Sequence, residues 1–255
     1  MKKRALITGA TSGIGEATAR LFAGEGYDLI ITGRRIERLK NLKAELEARW
    51  GIDVLALNFD IRDRFQCEAA LGSLPDDRRD IDILVNNAGL AAGLEHLDEG
   101  DTNDWEAMID TNVKGLLFVT RLVARSMVER GCGHIVNLGS IAGTQPYENG
   151  AVYCASKHAV HAISQSLRMD LLSHGIKVTE IRPGMVETEF STVRFHGDRE
   201  RADAVYRGGE PLRGEDIAEA ILWVVSQPAH VNIDDLVITP VAQANAYLTC
   251  RRPAK

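Results

Sequence analysis

Ala5-Leu6-Ile7-Thr8-Gly9-Ala10-Thr11-Ser12-Gly13-Ile14-Gly15 decides the fold. Residues 4–8 read as a short buried strand. Gly9, Gly13 and Gly15 follow it, and a helical pattern through Ala17, Leu21 and Phe22 begins at once. Glycines let backbone N–H groups approach a pyrophosphate, and the start of a helix favours its negative charge. The spacing is G-x-x-x-G-x-G, not the G-x-G-x-x-G of the commoner dinucleotide fingerprint. Alone, such a turn is as well a tight turn as a ligand site. Its place on the first strand of an alternating chain favours the ligand.

Outward from this turn, apolar β-branched runs recur at 28–32, 54–59, 81–85, 134–138, 177–181 and 236–239. Helical spacings lie between them, with long predicted helices at 103–130 and 152–173 and a last one at 215–226. Asp101 or Thr102 is placed to cap the first of these and Gly175 to stop the second. Residues 187–213 have weak periodicity and many charges. Strands alternating with helices predict an α/β domain with a parallel sheet, helices on both faces and right-handed crossovers. The strands read as apolar runs rather than alternating ones, as strands covered on both faces require. No linker or repeat divides residues 1–255. In such sheets ligands bind beyond the carboxyl ends of the strands. The unusual residues stand there: the glycine turn, Arg34, Asp60, Asn86 to Gly89, Ser140 and Pro183-Gly184.

Composition excludes several classes. A chain of 255 residues, 45% hydrophobic, can bury one substantial core. A net charge of −6 with no large basic block argues against nucleic acid. Arg251-Arg252-Pro253-Ala254-Lys255 reads as a solvated tail. Cys67, Cys132, Cys154 and Cys250 are scattered, which suggests reduced thiols in a cytoplasmic protein rather than a disulfide framework. Met1-Lys2-Lys3-Arg4 resembles the start of a signal peptide, but the apolar run behind it is too short, and no run approaches a membrane span. His96, His134, His158 and His161 show no ligand spacing, so no metal is expected.

The end of the second strand bears on the cofactor. An acidic residue there would bind the adenosine ribose hydroxyls of NAD. This chain has Gly33, then Arg34 and Arg35. Gly33 does not repel a 2′-phosphate and Arg34 can pair with it, which favours NADP. Two solvated arginines in the first turn of a helix are the alternative.

Tyr153-Cys154-Ala155-Ser156-Lys157 sets a tyrosine and a lysine four residues apart, on one helical face. A nearby ammonium favours the phenolate, so the pair could move a proton at neutral pH. In isolation such a spacing is far more often a surface tyrosine beside a solvated lysine.

Together these motifs resemble the short-chain dehydrogenase/reductase family, nearly end to end. Thr8-Gly9-x-x-x-Gly13-Ile14-Gly15 matches its cofactor loop, Asn86-Asn87-Ala88-Gly89 the motif after its fourth strand, and Pro183-Gly184 a later cofactor turn. Asn112, Ser140, Tyr153 and Lys157 match its active-site tetrad. The resemblance implies a single-domain Rossmann fold with a seven-stranded parallel sheet in the order 3-2-1-4-5-6-7. It implies that Tyr153 is the general acid or base, that Lys157 lowers its pKa and holds the nicotinamide ribose, and that Ser140 binds the substrate oxygen. Asn112 would hold a water linked to Lys157. NADP would lie along Gly9, Thr11, Ser12, Gly13, Ile14, Gly15, Arg34 and Arg35. Asp60 would meet the adenine and Asn87, Ala88 and Gly89 the adenosine ribose region. Pro183, Gly184, Val186 and Thr188 would line the nicotinamide.

Three stretches look closer still to NADP-dependent serine/3-hydroxy acid dehydrogenases and sulfoacetaldehyde reductases: Thr32 to Leu39, Glu187 to Asp198, and Pro228 to Ile233. That likeness implies a small polar anionic substrate and a homotetramer, paired through the helices 103–130 and 152–173. Residues 184–213 would cover the substrate, and in the C-terminal tail 240–255 the segment Pro240 to Cys250 could reach a neighbouring subunit's pocket. Arg194 and Tyr147 are the candidate substrate residues besides Ser140. For Arg194, an ion pair with Glu187 or Asp198 is the alternative. Another carbonyl substrate (sulfoacetaldehyde, a sugar or a larger ketone) and a cofactor-binding regulator without turnover remain open. The complete tetrad speaks against the last.

Overall fold

The first strand, β1 (Arg4–Ile7), is the centre from which the sheet is built in both directions. The computed structural model describes residues 2–251. On one side of β1 lie β2 (Asp28–Gly33) and β3 (Val54–Asn58). On the other lie β4 (Ile83–Asn86), β5 (Gly133–Leu138), β6 (Ile176–Pro183) and β9 (Asp235–Ile238). The seven run parallel in the order β3-β2-β1-β4-β5-β6-β9, the predicted order with β9 as its seventh member.

Neighbouring residues of a strand point to opposite faces, and both faces are apolar. Ile7, Ile31 and Val85 pack with Phe22, Leu39 and Ile217. These last three come from α1 (Gly13–Gly24), α2 (Ile36–Trp50) and α9 (Gly214–Val225). On the other face Leu6, Ile30 and Leu84 pack with Cys67, Val119, Met127 and Leu171. Those belong to α3 (Arg64–Gly72), α5 (Leu116–Arg130) and α6 (Ala151–Leu171).

Two segments differ from the sequence reading. The helix expected at 103–130 is α4 (Thr102–Ile109) and α5 joined by a wide π turn, Asp110–Gly115. Asp101 caps it by accepting from Asn103 N. A Cβ on Gly115 would lie 2.6 Å from Ile61 Cγ1, so the backbone approaches the end of β3 closely here. Such wide turns open the hydrogen-bond ladder and concentrate at functional sites. The irregular stretch after β6 contains β7 (Val186–Glu187), α7 (Phe190–Arg194), α8 (Arg199–Ala204) and β8 (Leu212–Arg213). Strands β7 and β8 pair in parallel, so the two ends of this excursion stand side by side.

After β9 the chain folds back over its own domain. Ala246 N donates to Gln145 Oε1 (3.0 Å), and Arg251 donates to the carbonyls of Ala204, Val205 and Arg207. Arg252 to Lys255, the remainder of the tail read as solvated, lie outside the described residues, as does Met1. Among the described residues no helix is long and apolar enough to cross a membrane.

Candidate active site

The four tetrad residues are brought together from three elements and all are buried. Tyr153 and Lys157 share a face of α6. Ser140, just after β5, starts the tight turn Ile141–Gly143, with its Oγ accepting from Ala142 N (3.1 Å). Asn112 sits in the wide π turn. Its Nδ2 donates to Leu90 O (2.8 Å) and Ser156 Oγ (3.0 Å), and its Oδ1 accepts from Leu90 N (2.9 Å). The turn thus ties the loop after β4 to α6. Lys157 Nζ donates to Leu138 O at 2.7 Å. Asn112 and Lys157 converge on Gly89, where a Cβ would lie 3.2 Å from Asn112 Oδ1 and 3.7 Å from Lys157 Nζ.

Burial lowers the Lys157 ammonium from its ordinary value of 10.5 to about 8, against the pull of the Glu180 carboxylate. Burial, with Tyr147 beside it, raises the Tyr153 phenol, while the Ser140 hydrogen bond and the Arg194 cation hold it down. The family resemblance gives Lys157 the part of lowering this phenol. Its ammonium lies 5.9 Å from the Tyr153 ring centre and is turned to the Leu138 carbonyl. The second cation near the phenol is Arg194, whose guanidinium carbon is 5.8 Å from the same ring centre.

A cavity of about 620 Å³ runs from the glycine turn to Tyr153. At its far end Gly9 and Gly13 adopt the left-handed region, with φ of 67° and 54°. A Cβ on Gly9 would lie 2.9 Å from Ala88 Cα, which explains the glycine. Thr11, Ser12 and Ile14 complete the wall here. Gly15 is not on the wall: its missing side chain makes room for Asn87 Nδ2, which donates to Thr8 O (2.9 Å) and Gly9 O (3.2 Å). Asn112 also stands behind the wall rather than on it. Asn87, Ala88 and Gly89 line the middle of the cavity, and Pro183, Gly184, Val186 and Thr188 the side facing β6. Thr188 lies against the glycine turn, 3.0 Å from where a Gly13 Cβ would be.

At the end of β2 no carboxylate follows Gly33. Arg34 is more than half exposed and 3.8 Å from Asp60 Oδ2. Asp60 is held by Arg62 through Nε (2.9 Å) and Nη2 (2.6 Å). Burial pushes its carboxyl up, but Arg62 and Arg34 outweigh this and hold it below its usual range. Arg35 clasps the glycine turn, donating to Thr11 Oγ1 (3.0 Å) and Ser12 Oγ (2.7 Å), and also meets Glu189 Oε2 (2.6 Å). Glycines with open backbone, and an arginine rather than an acid directly after Gly33, fit a dinucleotide bearing an extra phosphate.

At the tetrad end the guanidinium of Arg194 stands 5.6 Å from the Tyr147 ring centre. Its Nε donates to Gly93 O (3.1 Å), and its own carbonyl accepts from Gly93 N (2.9 Å). Among the described residues the alternative ion pair with Glu187 or Asp198 is not formed. Phe190 packs edge-on to Tyr153 with ring centres 5.7 Å apart.

Residues 3–198 match the family model described as short chain dehydrogenase. The chain belongs to that family. An NADP-dependent 3-hydroxy acid dehydrogenase YdfG of Salmonella typhi is 51% identical over 248 residues, 97% of this chain and 98% of the relative. Sulfoacetaldehyde reductase 2 of Chromohalobacter salexigens is 48% identical over 94% of each chain. Among solved structures, a closed form of serine dehydrogenase complexed with NADP+ superposes with a TM-score of 0.92. It is 48% identical and covers 98% of this chain and 100% of its own.

Several residues of this short-chain dehydrogenase escape sequence reasoning. Glu189 accepts from Arg38 Nη1 (2.7 Å) as well as from Arg35. Gln243, from the tail, accepts from Met185 N through Oε1 (2.7 Å) and closes the turn at Gly184. Phe190 adds the edge contact to Tyr153. Each lies on an irregular segment and acts across a long separation, which leaves no periodicity to read.

Proposed function

We propose that this short-chain dehydrogenase interconverts a small anionic alcohol, a 3-hydroxy acid such as serine, and its carbonyl compound with NADP(H). The observation that carries the reading is Arg194: a cation on the segment 184–213, facing Tyr147 and Tyr153 inside the cavity. A carboxylate on the guanidinium would bring a 3-hydroxyl to the phenol. The relatives named for 3-hydroxy acids and for serine support the same class.

The nicotinamide, when bound, supplies or accepts the hydride. Tyr153 gives its proton to the carbonyl oxygen in reduction and removes the hydroxyl proton in oxidation. Ser140 donates to the same substrate oxygen and fixes its distance from the phenol. Lys157 would hold the nicotinamide ribose, and Asn112, which fixes the loop at Gly89, would hold a water through which a Lys157 proton exchanges with solvent. Arg34 takes the 2′-phosphate and Arg35 the phosphates above Thr11 and Ser12. Asp60 takes the adenine, and Thr188 the carboxamide. The segment 184–213 covers the substrate.

Sulfoacetaldehyde is a second reading, since a sulfonate suits the same guanidinium and a reductase for it is among the relatives. Steady-state rates with L-serine, 3-hydroxypropanoate and sulfoacetaldehyde decide between them. For Tyr153→Phe the loss in kcat is about 10²- to 10⁴-fold, the range of a lost general acid. Arg194→Ala raises KM for an anionic substrate far more than for a neutral ketone. Full activity of Tyr153→Phe, or equal effects of Arg194→Ala on both substrates, overturns the reading.

The assembly we propose is a cytoplasmic homotetramer paired through α4–α5 and α6. Leu117 of α5, Met169 of α6 and Leu172 just after α6 are large apolar side chains left exposed on these elements. Sedimentation equilibrium at micromolar concentration tests it.

A further inference from the structure

One buried acid has no part in the tetrad. Glu180, in the middle of β6, is 1% exposed. Its Oε2 accepts from His161 Nδ1 at 2.6 Å, and its Oε1 has no hydrogen-bond partner among the described residues. That oxygen presses on Gly139, where any Cβ would run into it. Gly139 stands between Leu138, whose carbonyl holds the Lys157 ammonium, and Ser140. The carboxylate therefore lies directly under the strand end that carries both contacts.

His161 is four residues after Lys157 on the same face of α6, and Gln165, four further on, meets His161 Nε2 (3.2 Å) at the surface. The acid is thus enclosed by the element that carries the catalytic pair. The other charged groups facing it are Arg182 of β6 and Asp235 of β9. These two are committed to each other, with Arg182 Nε 2.7 Å from Asp235 Oδ1. Arg168 is likewise held by Asp234, 3.1 Å away. What remains is one buried carboxylate, one buried ammonium and the imidazole of His161, which reaches from the carboxylate to the surface.

We infer that Glu180, oriented by His161, is a positioning residue whose carboxylate is the counter-charge keeping Lys157 protonated in its dry site. This rests on the reading of Tyr153 and Lys157 as the proton-transfer pair. The physical reason is that burying an ammonium beside a single carbonyl is costly, and an anion one residue away offsets part of the cost. Burial raises the Glu180 carboxyl, and the His161 hydrogen bond opposes this. Arginine at 161 would place a permanent cation on the carboxylate and cancel its field at Lys157. Aspartate at 180 would keep the charge.

The test is the pH profile of kcat/KM for carbonyl reduction at saturating NADPH, from pH 6 to 10. Its shape does not depend on how much of a variant is folded. In wild type the rate falls as Lys157 loses its proton. In Glu180→Gln and in His161→Arg the fall moves to lower pH by about half a unit or more, the direction expected when an anion is removed or neutralised. In Glu180→Asp it stays within about 0.2 units of wild type, because the charge persists. Profiles of Glu180→Gln and His161→Arg that superpose on wild type overturn the inference. So does a Glu180→Asp profile displaced as far as that of Glu180→Gln. If Glu180→Gln does not fold, His161→Arg, at a partly exposed position, decides alone. A fully active Tyr153→Phe would instead overturn the reading of the site itself.

Discussion

Glu189 and Arg35 are 154 residues apart in the chain and 2.6 Å apart in space. The glutamate stands on the segment that covers the cavity, and the arginine at the head of α2 clasps the glycine turn. Arg38 completes the clamp at 2.7 Å, and these cations hold the Glu189 carboxyl below its usual range despite partial burial. The segment is thereby moored to the start of α2 and, through Arg35, to the glycine turn.

This mooring is weak and the clasp beneath it is not. Both partners are about two-fifths exposed, so the ion pair itself contributes ~0–1 kcal/mol. Arg35 also holds Thr11 and Ser12, which shape the phosphate turn. We expect Glu189→Gln to leave the Kd for NADPH within about threefold of wild type, and Arg35→Ala to raise it about tenfold or more, 1.4 kcal/mol being one decade. Fluorescence titration of NADPH checks both. Equal weakening would show that the carboxylate, not the clasp, shapes the turn.

Lys157 is costly to the fold. Its ammonium is held at about 8 in the native chain and near 10.5 when unfolded. Between those values the unfolded chain binds more protons, so stability rises with pH. Below pH 8 the folded state carries the whole penalty, about 3 kcal/mol by the proton linkage relation. Lys157→Met removes the charge at similar volume. It should raise Tm at pH 7 while abolishing turnover, and the gain should shrink toward pH 10. A lower Tm at pH 7 would mean that the bond to Leu138 O outweighs the buried charge.

His134 acts at the acid end. Burial, with the charges of Lys177 and Lys3, lowers its imidazole from 6.5 to about 3, and Nε2 is 2.8 Å from Thr179 Oγ1. The folded chain excludes a proton that the unfolded chain binds. Its contribution is complete above pH 6.5 and is lost as the pH falls toward 3. Between pH 7 and 5 the loss is about 2 kcal/mol. His134→Gln, which can keep a hydrogen bond to Thr179, should show a flatter urea midpoint over that range. An unchanged slope would exclude His134 as its source.

The sheet and most helices were legible because their signal is local. A run such as Leu29-Ile30-Ile31 has to be covered on both faces wherever it lies, and Gly131 and Gly175 end helices in the left-handed region that glycine favours. The tetrad was legible through the resemblance to the short-chain dehydrogenase family, since spacing marks only Tyr153 and Lys157, and the cofactor end through Gly33 followed by arginine. The π turn was not, because Asp110 to Gly115 keep a helical pattern while the ladder widens, and only the closeness of Ile61 to Gly115 marks it. The surroundings of Tyr153 were not legible for a related reason. An i, i+4 spacing fixes a shared face, but it does not say that Lys157 turns to Leu138 or that Arg194 reaches the phenol. Glu180 carries no sequence signal either, since a carboxylate in an apolar strand is explained only by the His161 that meets it.

The pairing of β7 with β8 has a bearing on how such a protein changes over generations. The feet of the excursion that covers the pocket stand in adjacent register, Val186 beside Leu212 and Glu187 beside Arg213. Whatever chain is strung between them begins and ends at the same place. Closing a loop of twice the length costs only about 0.6 kcal/mol more. The excursion can therefore be lengthened, shortened or exchanged while the sheet and the proton-transfer machinery stay put, so that one scaffold can acquire a new substrate by recasting a single hinged insert.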